Sequence, residues 1–171
     1  MPTTTCRIVV LGSRSVGKTS LIAKYLSGSF NEAYHPSLDW TIIQNVKFGD
    51  IEYKCSVIDT AGQVFSICSQ RSFDIVREIY SNIINFTGET TVVTVIVGCK
   101  EDLEQHRQVG STEGQHWAER IGAQWLETSA KTGHNIEKVF EACLHEIKRH
   151  AELEVEFRYP IKAPVRSCII M

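Results

Sequence analysis

At 171 residues the sequence suits one domain with a substantial core, and its 43% hydrophobic and 22% charged residues are ordinary for a soluble globular chain. A formal charge of −2 argues against a nucleic-acid-binding protein, which carries a marked basic excess. The six cysteines show no C-x-x-C or metal-ligand spacing, and without an N-terminal secretory signal they are expected to be reduced in the cytosol.

In chain order, a first strand is expected at 6–11, closing on the apolar run Ile8-Val9-Val10-Leu11. Directly after it, Gly12-Ser13-Arg14-Ser15-Val16-Gly17-Lys18-Thr19 fits G-x-x-x-x-G-K-[ST]. A strand, a tight loop and a helix N-terminus in that order form a phosphate cradle. Backbone N–H groups and the helix dipole face the anion, Lys18 reaches the terminal phosphates, and the Thr19 hydroxyl suits Mg²⁺. The helix should run over 17–27, with Leu21, Ile22, Tyr25 and Leu26 on one face. Strands at 42–48 and 52–58 flank Gly49-Asp50, a hairpin signal.

Further on, the pattern predicts helices at 72–86, 112–122 and 135–152 and strands at 91–97 and 124–128. Val92–Val97, the longest apolar run, is too short to span a bilayer. The last helix carries Ile136, Val139, Phe140, Cys143, Leu144 and Ile147 at helical spacing, with Asn135 as its N-cap. From about residue 157, Pro160 and Pro164 break any period. The expected division is therefore a domain over 1–156 and a flexible tail over 157–171. Strands alternating with helices imply an α/β fold, a mostly parallel sheet covered on both faces, with ligands at the carboxyl ends of its strands.

Four further stretches fall at such strand ends, and with the phosphate loop they make the chain resemble the Ras-like small GTPases. Asp59-Thr60-Ala61-Gly62-Gln63 resembles that family's second phosphate motif, and Tyr34-His35-Pro36-Ser37-Leu38-Asp39 its first switch, with serine for the usual threonine. Cys99-Lys100-Glu101-Asp102 is similar to the N-K-x-D guanine motif, with cysteine for asparagine, and Ser129-Ala130-Lys131 matches the S-A-K element. The resemblance implies a P-loop, three-layer sandwich that binds GTP or GDP with Mg²⁺. The nucleotide would be held by Ser13, Arg14, Ser15, Val16, Gly17, Lys18, Thr19 and Ser20, by Ser37 and Gly62, and by Lys100, Asp102, Ser129, Ala130 and Lys131. Thr19, Ser37 and Asp59 would serve the metal, and Gln63 would orient the attacking water. The Asp102 carboxylate would accept guanine N1–H and the 2-amino group, a pair that adenine cannot offer. Cys99 cannot make the amide hydrogen bonds that tie neighbouring loops together, which weakens the expected nucleotide affinity.

Within that superfamily, Arg14-Ser15 and Ser72-Phe73 resemble the Rheb subfamily. This implies a slowly hydrolysing switch in growth signalling, served by effector kinases or other effectors and by a GTPase-activating protein. The sequence closes on Cys168-Ile169-Ile170-Met171, a C-a-a-X box of the farnesylated type, which implies a prenyltransferase acting on Cys168. One lipid chain with few basic neighbours implies reversible binding to the cytoplasmic face of endomembranes or of the plasma membrane, in exchange with the cytoplasm.

One departure bears on everything else. Most of the family's second switch and the start of its fourth strand are missing between Gln63 and Val64. Thr60–Gln63 is also too short for a parallel crossover, so Val64–Ser69 cannot run beside the preceding strand. An incomplete interior strand leaves ladder groups open on both sides, and a weakly stable or misfolded product is expected. Two other functions therefore stay open alongside the slow GTPase. One is a nucleotide holder that does not hydrolyse. The other is a nucleotide-free, lipid-anchored interaction protein.

Overall fold

Gly49 and Asp50 turn the chain between two strands that pair antiparallel with Phe48 opposite Ile51, so the hairpin forms where the dipeptide placed it. The computed structural model describes residues 3–12, 17–27, 40–59, 64–89, 92–156 and 167–171. Its elements run β1 (Thr3–Val10), α1 (Lys18–Ser27), β2 (Trp40–Phe48), β3 (Ile51–Asp59), β4 (Phe65–Ser66), α2 (Gln70–Thr87), β5 (Thr94–Cys99), a 3-10 helix (Glu101–His106), α3 (Ser111–Arg120), β6 (Gln124–Thr128), α4 (Ile136–Glu156) and β7 (Ser167–Ile170). The fold is α/β, and every strand pairing except β2–β3 is parallel.

The expected incomplete strand is present as such. Of Val64–Ser69 only Phe65–Ser66 is strand, and it pairs with Gly98 and Cys99 of β5 rather than with β3. The rest of that interior position is filled from an unforeseen source. β7 lies between β1 and β5, parallel to both, with Arg7–Val10 opposite Ser167–Ile170 on one side and Thr94–Val95 opposite Ile169–Ile170 on the other. Leu11 N–H donates to the Ile170 carbonyl at 2.8 Å, Met171 N–H donates to Val95 at 2.9 Å, and Val97 N–H donates to Met171. β6 occupies the opposite edge of β5 over Val95–Cys99. Along its other edge β5 therefore meets β7 first and β4 next, two short pieces laid end to end where one strand would run.

The sheet has a core on each face, as a half-buried pleat requires. Cys6, Ile8, Val10, Cys168 and Ile170 pack with Leu21 and Ile22 of α1 and with Val139, Phe140, Cys143 and Ile147 of α4. On the other face Met171 joins Phe65, Phe73, Val76, Ile96 and Trp117, with Ile169 packed against them. Successive side chains of the terminal segment thus alternate between the two layers. Ser72 binds β4 to α2. It is buried, its hydroxyl accepts the Ser66 N–H at 3.0 Å, and it donates to the Ser69 carbonyl at 2.7 Å. Phe73 meets Phe65 at a ring separation of 4.9 Å and Trp117 edge-on at 5.5 Å.

Ser167–Ile170, read from sequence as part of a flexible tail, is therefore strand in this structure; residues 157–166 lie outside the described residues. The physical reason is the vacancy itself. Ile170 and Met171 are completely buried, and at about 1.5–3 kcal/mol for each large apolar side chain their burial is a sizeable share of a domain's usual ~5–15 kcal/mol.

Ile170→Asp is expected to abolish cooperative unfolding or lower the melting midpoint by more than about 10 °C. Ile43→Asp, at a β2 position that is 64% exposed, should shift it little. Thermal unfolding followed by circular dichroism compares the two.

Candidate nucleotide-binding site

The parallel strands bring their carboxyl ends to one edge of the sheet, and the described motif residues gather there. β1 and β3 end side by side, with Val10 opposite Asp59, and β5 and β6 end with Cys99 opposite Thr128. Gly12 and Gly17, at φ of +142° and +118°, hold a backbone that side chains other than glycine rarely adopt, which lets the chain curl from β1 into α1.

Lys18, the first residue of α1, is only 8% exposed. Burial pushes its ammonium below a lysine's ordinary pKa, and the neighbouring Asp59 carboxylate partly restores it. The buried Asp59 accepts a hydrogen bond from Thr19 Oγ1 at 2.8 Å. A hydroxyl and a carboxylate oxygen beside a desolvated cation form a hard oxygen set of the kind that Mg²⁺ prefers. They fit the metal expected at this site.

On the far side of the edge, Lys100 takes a left-handed conformation (φ +67°), and the 3-10 helix that follows carries Asp102. Ser129 Oγ donates to Asp102 Oδ1 at 2.6 Å and accepts the Thr132 N–H at 3.1 Å, fixing the carboxylate against the S-A-K loop. Cys99 is buried and its pKa is pushed up to about 11 by loss of solvent, partly opposed by a hydrogen bond from Thr128 Oγ1 at 3.7 Å. It behaves as an inert neutral thiol.

The Ras family profile matches this chain over residues 7–63 and again over 64–149, two pieces that abut where the second switch breaks off. Together they cover most of the chain. The chain belongs to the Ras family. It is 37% identical over 164 residues (85% of this chain, 89% of the relative) to the GTP-binding protein rhb1 of Schizosaccharomyces pombe. Against the GTP-binding protein Rheb homolog of Drosophila melanogaster the identity is 38% over 165 residues (84% and 90%). The human GTP-binding protein Rheb is 30% identical over 162 residues (84% and 88%). Within the family, the chain is similar to Rheb proteins over most of its length.

Of the Ras-type residues expected from sequence, Gly17, Lys18, Thr19, Ser20, Asp59, Lys100, Asp102, Ser129, Ala130 and Lys131 lie among the described residues at or beside the strand ends. Ser13, Arg14, Ser15, Val16, Ser37, Gly62 and Gln63 lie outside them. Arg107 and His134, which brace the segment around Asp102, were not foreseen, nor was the side-chain contact that Asn135 makes. Arg107 donates two hydrogen bonds to the Glu127 carboxylate, each 2.8 Å, and also binds Glu104, holding the segment after Asp102 against β6. Those two carboxylates, Glu127 first, keep its guanidinium firmly charged. Asn135, directly before α4 with φ +55°, accepts the Val139 N–H on its carbonyl at 3.3 Å, as an N-cap does, while its Nδ2 donates to the Glu127 carbonyl at 2.9 Å. His134 pairs with Glu101. No local spacing announces Arg107–Glu127 or His134–Glu101, which join residues 20 and 33 positions apart.

β6 is tied at its other end by Glu146 of α4, which accepts from Gln124, the first residue of the strand, at 2.7 Å and from Arg149 at 2.6 Å. Burial raises its pKa, but those donors outweigh burial and hold the carboxyl below its ordinary value. A depressed acid stabilises the fold above its unfolded pKa of about 4.3, and that contribution is lost as pH falls through the folded value. Glu146→Gln should be less stable near neutrality yet lose less on acidification from pH 6 to pH 3, as read from melting midpoints.

Proposed function

We propose that this chain is a guanine-nucleotide switch of the Rheb type, binding GTP and GDP and hydrolysing GTP slowly. The observation that carries the reading is the pair of fixed carboxylates at one sheet edge. Asp59 is held by Thr19 beside Lys18, and Asp102 is held by Ser129 beside Lys100. One end suits a metal-bound triphosphate and the other the donor face of guanine. The relatives named GTP-binding protein support the same ligand.

In this reading Lys18, desolvated by burial, pairs with the phosphate when it arrives, and the low dielectric strengthens the charge pair. Thr19 and Asp59, with Ser37, would hold Mg²⁺, which when bound neutralises charge on the phosphate oxygens. Asp102 accepts guanine N1–H and the 2-amino group, and Ser129 keeps the carboxylate aimed. Gln63 orients the water that attacks the γ-phosphorus, and Arg14 slows that step by crowding it. Growth signalling through effector kinases or other effectors, turnover by a GTPase-activating protein, and farnesylation of Cys168 by a prenyltransferase belong to the same proposal. They would place the chain between the cytoplasm and the cytoplasmic face of a membrane. Among the described residues no helix is long and apolar enough to cross a membrane, so attachment would rest on the lipid.

The first test is to purify the protein natively, denature it and identify the released nucleotide by chromatography. Near-stoichiometric GDP or GTP is expected, with phosphate release from added GTP that Lys18→Ala abolishes. An empty protein would overturn the proposal, and so would a preference for ATP. Cys99→Asn, restoring the amide donors, is expected to slow dissociation of a fluorescent GDP about tenfold, the equivalent of one hydrogen bond of about 1.4 kcal/mol.

A further inference from the structure

The C-terminal strand raises a conflict that the proposed lipid anchor has to resolve. Cys168 sits in the middle of β7, completely buried in the core that contains Cys6, Cys55 and Cys143. Its thiol contacts Cys143, whose own pKa is raised by burial and by that contact. The pleat that directs Cys168 inward also directs Ile170 inward, and Met171 into the opposite core, so all three positions are committed together. Interiors are packed to crystal density and leave no room for an added isoprenoid chain.

We propose that Ser167–Met171 is an exchangeable strand, and that its docking in the sheet and covalent modification of Cys168 exclude one another. Docked, the segment satisfies donors and acceptors on both neighbours. Leu11 N–H and Val97 N–H donate to it, and the carbonyls of Val93 and Val95 accept from it. Released, it strands those four groups in an apolar cleft, so the docked state is favoured until something captures the free end. A prenyltransferase is such a captor. The Cys168 sulfur bonds to C1 of a prenyl diphosphate, the C–O bond breaks, diphosphate leaves with the electron pair, and the thiol proton passes to solvent. The lipidated segment cannot re-enter the slot, so a membrane-bound chain has an open sheet between β1 and β5 and a sheet-complete chain carries no lipid. The lipid half of this proposal rests on the reading of Cys168 as a prenyl acceptor; the docking half does not.

The test uses the full-length protein and a synthetic peptide spanning Arg166–Met171. Each is treated with a maleimide, with labelling assigned to individual cysteines by mass spectrometry and the half-buried Cys68 as reference. In parallel, both are offered farnesyl diphosphate and a purified farnesyltransferase. Cys168 of the native chain is expected to label at least about 100-fold more slowly than in the peptide, since reaction waits on local opening. The peptide should accept farnesyl readily, and the native chain far more slowly and only with a lowered melting midpoint. Labelling of native Cys168 at the peptide's rate overturns the proposal, as does full farnesylation of a chain whose melting midpoint is unchanged. If neither peptide nor chain accepts farnesyl, the prenyl-acceptor reading fails alone, and thiol protection still decides docking. Ile170→Asp should unmask Cys168. Because that variant can fail to fold, amide exchange at Ile169 and Met171 in the unaltered chain gives a second reading. Slow exchange supports docking, and exchange at the free-peptide rate overturns it.

Discussion

A parallel sheet buried on both faces tolerates no empty interior position, because the strands on either side would each present a row of unpaired N–H and carbonyl groups to an apolar cleft. That constraint governs this protein. The loss of sequence between Gln63 and Val64 leaves Phe65–Ser66 as the whole of the fourth strand, enough to cover Gly98 and Cys99 but not Thr94–Val97. β7 covers the remainder, and in doing so it joins β1–β3 to β5–β6. Both cores depend on that junction, since Cys168 and Ile170 complete one and Met171 the other.

The nucleotide edge inherits its integrity from the same junction. Leu11, whose N–H is held by the Ile170 carbonyl, immediately precedes Gly12 at the root of the phosphate loop. Val97, held by Met171, lies two residues before Cys99 at the root of the guanine-side loop. The two halves of the site, Lys18–Thr19–Asp59 and Lys100–Asp102–Ser129, are built on strands from opposite sides of the inserted segment. Their spacing is therefore set by a piece of chain that belongs to neither half.

Much of this was legible in the sequence. Helical periodicity located α1 to α4 within a few residues of their ends, Gly49-Asp50 located the hairpin, and the spacing of the phosphate and guanine motifs put their residues on the right strand ends. The shortness of Thr60–Gln63 correctly excluded β4 from the side of β3. β7 was not legible, because Ser167–Met171 is too short to show a period and its preference for strand comes from a vacancy more than a hundred residues away. The prolines upstream pointed to a loose tail, an expectation that burial overrides at Ser167–Ile170. Arg107 and His134 escaped for a related reason: their partners Glu127 and Glu101 are distant in sequence, and charged or polar residues in loops are ordinary surface composition until the fold brings them together.

The order in which the chain emerges gives the β7 pairing a further meaning. Arg7 pairs with Ser167, so β1 waits for a segment made long after it before its second edge is covered. During translation β1 can pair with β3 and β5 with β6, but these two half-sheets have no stable junction until Ser167–Ile170 has been made. Contacts of such high sequence separation fold slowly and leave apolar edges exposed meanwhile. Chaperone demand, and the time for which a newly made chain holds Cys168 accessible, are thus both set by the closure of a single short strand.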